Sequence, residues 1–226
     1  MSDFIIREEI EFDCGFNFDS KKLATAIDEC NRKLATLPMF LWNRIALKFS
    51  GAIIGEFLGE AVASVSDSVV NPIEQGYPDI IPAIEESVTF DELRNYPCGL
   101  ELKGTCGHLP NKTRIKKGEP RLTHISSVTW KAHHAEVKKM LGYIWDFYPF
   151  YNNTLSPCVT AAFYSSELEV EDWGKVSGIT GRSTKVTSMV KSGKEKMASG
   201  LACIINDKQI IDKYKSMLPK MELINE

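Results

Sequence analysis

The fold is decided by two apolar stretches: Gly142–Tyr148, which reads GYIWDFY, and Cys158–Ser165, which reads CVTAAFYS. Both are rich in aromatic and β-branched residues, which fit the pleated surface of a sheet and predict buried strands. Two shorter apolar segments precede them, Tyr77–Ile84 and Cys98–Thr105. Each of these is bounded by Pro or Gly, as expected for a short strand.

Helical patterns separate these strands. Apolar spacing, capping residues and prolines predict helices from Asp19 or Ser20 to Pro38, over Phe40–Val65, over Lys131–Leu141, and from the capping residue Asn206 to Pro219. Gly51, Gly55 and Gly59 recur at four-residue intervals, which favours close packing of the second helix on a sheet. Alternating helices and strands predict an α/β fold with a mixed central β-sheet flanked by helices. At 226 residues, the chain is expected to form a single domain, 1–226.

Composition places the chain among soluble globular proteins. Hydrophobic residues make up 43% and charged residues 25%, which argues against intrinsic disorder. The most apolar stretch, Gly51–Val65, is interrupted by Glu56 and Glu60 and falls short of the ~20 apolar residues that a membrane span needs. The N-terminus shows no apolar signal region, and the six cysteines form no CxxC pair. We therefore expect a cytoplasmic protein with no membrane partner.

Two short motifs carry the chemistry: Pro78-Asp79 and Glu101-Leu102-Lys103. Residues two apart on a strand point to the same face, so Glu101 and Lys103 project together, and Asp79 joins them if the two strands pair. Two carboxylates with open positions suit Mg²⁺, and a neighbouring lysine can orient an attacking water. Acidic-x-Lys triplets also occur at Asp19-Ser20-Lys21 and Glu136-Val137-Lys138. A turn aspartate beside a solvated strand face therefore remains an alternative.

These motifs resemble those of the PD-(D/E)XK nuclease superfamily, particularly the type II restriction endonucleases. The matching text is YPDII at residues 77–81 and GLELKG at residues 99–104. The resemblance implies a restriction-endonuclease-like core, with Asp79 and Glu101 as Mg²⁺ ligands and the Leu102 carbonyl as a further ligand. It also implies that Lys103 positions the nucleophilic water.

Many members of that superfamily add an acidic residue from the preceding helix, where Glu56 and Glu60 are the candidates. If the buried stripe of this helix runs through Ile54, Phe57, Leu58, Ala61 and Val65, Glu60 lies at its flank and Glu56 almost opposite. We therefore expect Glu60 to join the catalytic residues. An ordinary solvated pair of glutamates is the alternative.

Positive charge is concentrated in two runs of an otherwise acidic chain. Residues 103–121 and 175–200 each hold six basic residues and one acid, although the whole chain has a net charge of −3. Such runs beside a phosphate-chemistry motif predict DNA-contacting loops near 104–121 and 175–200. The expected DNA contacts are Lys112, Arg114, Lys116, Lys117, Arg121, Arg182, Lys185, Lys191 and Lys194, with Arg182 as the candidate for reading guanine. Solvated surface loops are the alternative.

Together these features favour a Mg²⁺-dependent type II restriction endonuclease that cleaves double-stranded DNA at a short palindromic site. Duplex symmetry favours a homodimer, and a cognate DNA methyltransferase is expected in the same cell. One alternative is a structure-specific repair or junction-resolving nuclease of the same superfamily. Another is a non-catalytic DNA-binding protein with a nuclease-like fold. Histidine positions and cysteine spacings give no comparable signal.

Overall fold

A computed structural model describes residues 3–74, 76–83, 88–151, 153–177 and 185–223. Within these ranges the chain is a mixed α/β structure, and helices and strands alternate irregularly. The helices are α1 (Ser20–Thr36), α2 (Met39–Trp42), α3 (Leu47–Ser64), α4 (Phe90–Arg94), α5 (Lys191–Ser199) and α6 (Lys208–Met217). The strands are β1 (Phe4–Ile6), β2 (Ser68–Val70), β3 (Ile80–Pro82), β4 (Glu101–Thr105), β5 (Lys131–Ala132), β6 (Met140–Tyr151), β7 (Thr154–Ser165), β8 (Thr187–Ser188) and β9 (Leu201–Ile205).

Among the described residues, five strands form the main sheet, in the order β1-β9-β7-β6-β4. The β6–β7 hairpin lies at its centre, and β4 runs parallel to β6 at one end. Most of β6 and nearly all of β7 are buried, which indicates that both faces of this hairpin are covered. The sequence prediction of a mixed sheet flanked by helices is thereby confirmed, including the two long strands that contain Gly142–Tyr148 and Cys158–Ser165.

Helices α3 and α5 cover opposite faces of the sheet. On β6, an added Cβ at Gly142 would lie 2.7 Å from Met197 of α5. The next residue, Tyr143, places its hydroxyl 3.2 Å from where a Cβ at Gly55 of α3 would lie. Because successive strand residues point to opposite faces, the two helices must lie on different sides. Close helix–sheet packing through the glycines of α3 is therefore confirmed at Gly55, whereas added Cβ atoms at Gly51 and Gly59 would make ordinary contacts at 3.8 and 3.7 Å.

Helix α1 packs against α3 and is fixed to the sheet by a buried amide. Asn31 donates a hydrogen bond to the Val159 carbonyl (3.1 Å) and accepts one from the Val159 N–H (2.7 Å). Asp19 caps the helix by accepting from the Lys22 N–H at 2.8 Å, which confirms the predicted start. A buried amide satisfied on both sides fixes the position of α1 along β7, because leaving either group unpaired would be costly.

Several predicted boundaries are wrong. The predicted helix over Phe40–Val65 is two helices, α2 and α3, with a break at 43–46. The predicted strand over Tyr77–Ile84 shrinks to β3, and its last residue lies outside the described residues. Residue Asp207 caps α6, whereas the N–H of Asn206 extends the β1–β9 pairing by donating to the Asp3 carbonyl.

The predicted helix over Lys131–Leu141 does not exist. The segment begins as β5, in which Ala132 pairs with Thr187 of β8, and its last residues already belong to β6. Between them, the Val137 carbonyl accepts a hydrogen bond from the Trp173 indole N–H at 3.2 Å. Tertiary contacts therefore take the backbone groups that a helix would have used internally.

None of the helices within the described residues is both long and apolar enough to cross a membrane.

Candidate functional site

The structure brings Asp79, Glu101 and Lys103 together beside the outer edge of β4. The ammonium of Lys103 lies 3.3 Å from Asp79 Oδ2 and also forms an ion pair with Glu101 Oε1. Asp79 Oδ2 accepts a further hydrogen bond, at 2.7 Å, from the Leu102 N–H. The convergence predicted from the two motifs is therefore present, and Asp79 is held by the backbone of β4 as well as by Lys103.

A backbone contact next to the site explains how Asp79 reaches β4. Ile80 and Leu100 exchange two backbone hydrogen bonds, of 3.1 and 2.8 Å, which tie β3 to the residue before β4. Gly99 has a φ of +145°, and a Cβ there would lie 2.3 Å from the Ile80 carbonyl oxygen. Only glycine permits this approach. The glycine that opens the GLELKG segment therefore sets the distance between the two motifs.

Burial shifts the ionisation of Glu101. The residue is only 6% exposed, and desolvation, reinforced by the charge of Asp79, raises its pKa from 4.5 to about 7. Burial alone would lower the pKa of Lys103, but the charges of Asp79 and Glu101 outweigh it and raise that pKa above its ordinary value. The site thus holds a stable cation between two carboxylates, one of which loses its proton at a higher pH than an ordinary glutamate.

One oxygen in this cluster lacks a partner. Glu101 Oε2 is buried and forms no hydrogen bond among the described residues. A buried acceptor left unpaired is costly, so a cation at this position would compensate it. Because Leu100 and Leu102 both direct their N–H groups to the outer edge of β4, the Leu102 carbonyl faces that edge too.

These groups fit a magnesium ion that also takes ligands from its substrate. The described residues contain no group of three or more His, Cys, Asp or Glu side chains arranged to hold a metal alone. Two carboxylates and one carbonyl are a partial set, and Mg²⁺ commonly completes such a set with water and substrate phosphate. The residues present are therefore compatible with Mg²⁺ and open toward a polyanionic ligand.

A cleft of about 930 Å³ opens beside Asp79 and Lys103, and Glu101 lies buried next to them without lining it. Asp79 and Lys103 line it, together with the glycine stripe of α3 and the buried ring of Tyr143. Gly104 keeps this wall compact, because a Cβ there would lie 2.5 Å from the Tyr143 ring. The charged cluster therefore has access to a cavity large enough for a ligand.

Comparison with known proteins adds no assignment. No family model, curated protein or solved structure matches this chain. A functional interpretation therefore depends on the residues and geometry of the chain itself.

The two glutamates of α3 lie in different surroundings. Glu56 lines the cleft, whereas Glu60 does not, and the charge of Glu60 acts on Lys33 of α1. The buried side of α3 includes Gly59 but not the half-buried Phe57. The buried stripe is therefore rotated relative to the one expected from apolar residues alone. For this geometric reason, Glu56 is better placed than the expected Glu60 to join Asp79.

The predicted DNA-contact residues take varied positions, and none of those described lines the cleft. Lys112, Arg114, Lys116, Lys117, Lys185 and Lys191 are exposed, and Lys194 is half-buried. Lys117 donates to the Arg44 carbonyl at 2.7 Å. Arg182 lies outside the described residues.

For Arg121, the structure corrects the predicted contact with DNA. It is only 8% exposed, and its guanidinium donates to the carbonyls of Cys106 (3.1 Å) and Gly107 (3.3 Å). Its backbone N–H is bound by the carboxylate of Asp146. These contacts hold Arg121 inside the protein as a support for the loop before His108, so it is not free to bind a phosphate.

Apart from Lys103, the basic residues that line the cleft are not among the predicted site residues. Lys48 comes from the first turn of α3, Lys131 from β5, and His108 and His133 from loops. Lys131 and His133 are two residues apart, but Lys48 and His108 are distant from them in the sequence, so only the fold brings the four together. In the sequence, each of them is a basic residue next to an apolar segment, and this pattern is too common to identify a binding residue.

Proposed function

We propose that this protein is a Mg²⁺-dependent endonuclease that hydrolyses phosphodiester bonds of double-stranded DNA. The observation that carries the proposal is the convergence of Asp79, Glu101 and Lys103, with a buried oxygen of Glu101 left unpaired. A structural ion-pair cluster would be expected to pair that oxygen, whereas a metal site needs it free. The resemblance of both motifs to PD-(D/E)XK nucleases agrees with this interpretation, and a restriction-endonuclease-like core is part of the proposal.

In this mechanism, Asp79 Oδ1, Glu101 Oε2 and the Leu102 carbonyl would hold the metal. A bound Mg²⁺ would supply stabilisation of negative charge on the phosphate and a lower pKa for water. Lys103 has three N–H donors, of which the two carboxylates take two. The third is available for a water or a phosphate oxygen, so Lys103 can position the nucleophile and stabilise developing charge.

The proposed substrate is a short, palindromic site in duplex DNA, cut in both strands by a type II restriction endonuclease. Basic residues on the cleft wall and the open metal site support a polyanionic ligand. A homodimer would place one active site on each strand. A cognate DNA methyltransferase in the same cytoplasm would protect the host sites.

The proposal is tested by incubating the purified chain with Mg²⁺ and DNA of known sequence and mapping the ends of the products. Discrete fragments with ends at one repeated sequence would support restriction cleavage. Preference for branched or damaged DNA would favour a structure-specific nuclease instead, and a smear would indicate a non-specific one. Binding without cleavage would contradict the proposal and favour a non-catalytic DNA-binding protein.

Matched variants separate chemistry from folding. Asp79→Asn, Glu101→Gln and Lys103→Met should each abolish cleavage while the protein stays folded, because they remove a metal ligand or the water-positioning donor. The second acidic-x-Lys triplet provides controls, since Glu136→Gln and Lys138→Met change the same residue types on the surface. Ca²⁺ should permit DNA binding and suppress cleavage. Normal cleavage by the Asp79 or Glu101 variant would contradict the proposal.

A further inference from the structure

His108, Lys131 and His133 form a second group of polar side chains that line the cleft, and the charge of Lys131 acts on His108. His108 is fixed by its backbone: its N–H donates to the Ser127 carbonyl at 2.8 Å, and its carbonyl accepts from the Ser126 N–H at 2.8 Å. His133 Nδ1 lies 3.1 Å from the Lys185 carbonyl oxygen, which can only accept, so this nitrogen carries a proton. The backbone of His108 and the imidazole of His133 are therefore held in place on the lining of the cleft.

The loop that carries His108 is rigidly supported. The Arg121 guanidinium donates to the carbonyls of the two residues before His108, Cys106 and Gly107. Gly107 has a φ of +71°, and a Cβ there would lie 2.8 Å from Ile125, so the backbone packs directly on a buried side chain. A side chain presented on such a support can bind a ligand with little loss of conformational entropy.

The charges that face His108 are all positive. They come from Lys131 on β5, Lys194 on α5 and the Arg121 guanidinium. Neither Lys131 nor Lys194 forms an ion pair within the described residues. Desolvation, aided by these three cations, lowers the pKa of His108. The Arg121 charge also acts on the carboxylate of Asp146, so Lys131 and Lys194 are the cations without an ion-pair partner among the described residues. Two such lysines near a partly buried imidazole are complementary to an anion with several oxygens.

We propose that this cluster of His108, Lys131 and His133, here termed the His108 subsite, binds a backbone phosphate of DNA. The phosphate would flank the one that is cleaved at Asp79 and Glu101. The inference rests on the proposed function for the identity of its ligand. On binding, His108 takes up a proton and donates to a phosphate oxygen, while Lys131 adds a charge-assisted contact.

The experiment follows the His108 imidazole by NMR as the pH changes, in the metal-free full-length protein, with and without a short DNA duplex. Without metal, the DNA stays intact. The expected result is a higher pKa for His108 in the complex, because the phosphate stabilises the imidazolium. An unchanged His108 titration in the presence of bound DNA would overturn the proposal.

Binding measurements with variants provide an independent test. Lys131→Ala should reduce the slope of log affinity against log salt concentration by about 0.9, the value for one lost phosphate contact. Lys208→Ala, an exposed lysine on α6, is the matched control and should leave the slope unchanged. His108→Gln should reduce the loss of affinity that the wild type shows as pH rises between about 5 and 8, and the part that remains belongs to other groups that titrate there, such as Glu101. Equal slopes for the two lysine variants would overturn the proposal.

The two proposals fail in different ways. Cleavage of DNA in Mg²⁺ with no response of His108 would refute the subsite and leave the nuclease in place. A response of His108 without cleavage in Mg²⁺ would refute the nuclease and leave the phosphate subsite in place. Absence of both would refute both.

Discussion

Glu101→Gln is expected to stabilise the metal-free protein at neutral and alkaline pH. The folded-state pKa of Glu101 is about 7, against an ordinary value of 4.5, chiefly because the carboxyl is buried. Between these two pH values the folded state binds more protons than the unfolded state, so the free energy of unfolding decreases as pH rises. Glutamine has nearly the same shape but carries no charge that burial could penalise.

The size of the stability difference follows from the interval between the folded-state pKa of Glu101 and its ordinary value. A difference of about 2.5 pH units at roughly 1.4 kcal/mol per unit gives about 3 to 4 kcal/mol as the largest penalty, fully developed above pH 7. Loss of the ion pair with Lys103 offsets part of this gain. We therefore expect Glu101→Gln to be more stable than the wild type by roughly 1–3 kcal/mol at about pH 8 and nearly equal to it at about pH 5.

Urea unfolding in a metal-free buffer, repeated at several pH values between about 5 and 8, measures this difference. Comparing the variant with the wild type cancels the contributions of other groups that titrate in this pH range. One of these is Asp146, whose pKa is raised by burial to about 6. Glu11→Gln, which changes an exposed glutamate, is the control and should show no pH-dependent difference. Mg²⁺ should then stabilise the wild type by mass action and leave Glu101→Gln unaffected. A difference between Glu101→Gln and wild type that stays constant with pH would refute the reasoning.

Three further predictions concern the cleft and its supports. Glu56→Gln should slow DNA cleavage by roughly tenfold, and Glu60→Gln should not, because only Glu56 of the two lines the cleft. Equal cleavage rates for the two variants would count against this placement. Arg121→Ala should lower the free energy of unfolding, measured in urea, by roughly 1–3 kcal/mol, because the carbonyls of Cys106 and Gly107 lose their donor. A stability unchanged from wild type would contradict a supporting role for Arg121. Gly104→Ala should cost roughly 1–3 kcal/mol in thermal unfolding, because the new methyl group would overlap the buried Tyr143 ring, and a neutral effect would show that the ring can retreat.

Local sequence rules predicted the parts of the fold whose causes are local. Helix α1 follows from its apolar spacing and from the Asp19 cap, both contained within a few turns of chain. The long strands β6 and β7 follow from continuous apolar runs. On β4, the period of two placed Glu101 and Lys103 on one face, and their contact in the structure agrees with that rule.

The remaining features depend on contacts between distant segments, which local patterns do not encode. Val137 lies in an apparently helical pattern, but its carbonyl is bound by the indole of Trp173, 36 residues away in the chain. The orientation of α3 depends on small residues packing against the sheet, so an apolar stripe alone favoured Glu60 over Glu56. Arg121 belongs to a basic run, yet its donors are taken by backbone carbonyls inside the protein.

The hydrogen bond from the Leu102 N–H to Asp79 also bears on self-association of the protein, because it lies at an edge of the main sheet. Within the described residues, β4 is the last strand of the main sheet, and Ile80 covers only the backbone of Leu100 along its outer edge. An open N–H on an edge strand is a template for strand addition by another chain, and Asp79 occupies this one at 2.7 Å. Replacing Asp79 with a residue that has no hydrogen-bond acceptor would therefore leave the Leu102 N–H unpaired at the edge of the sheet, which favours self-association. We therefore expect the Asp79 carboxylate, a metal ligand in the proposed function, also to limit self-association of the protein.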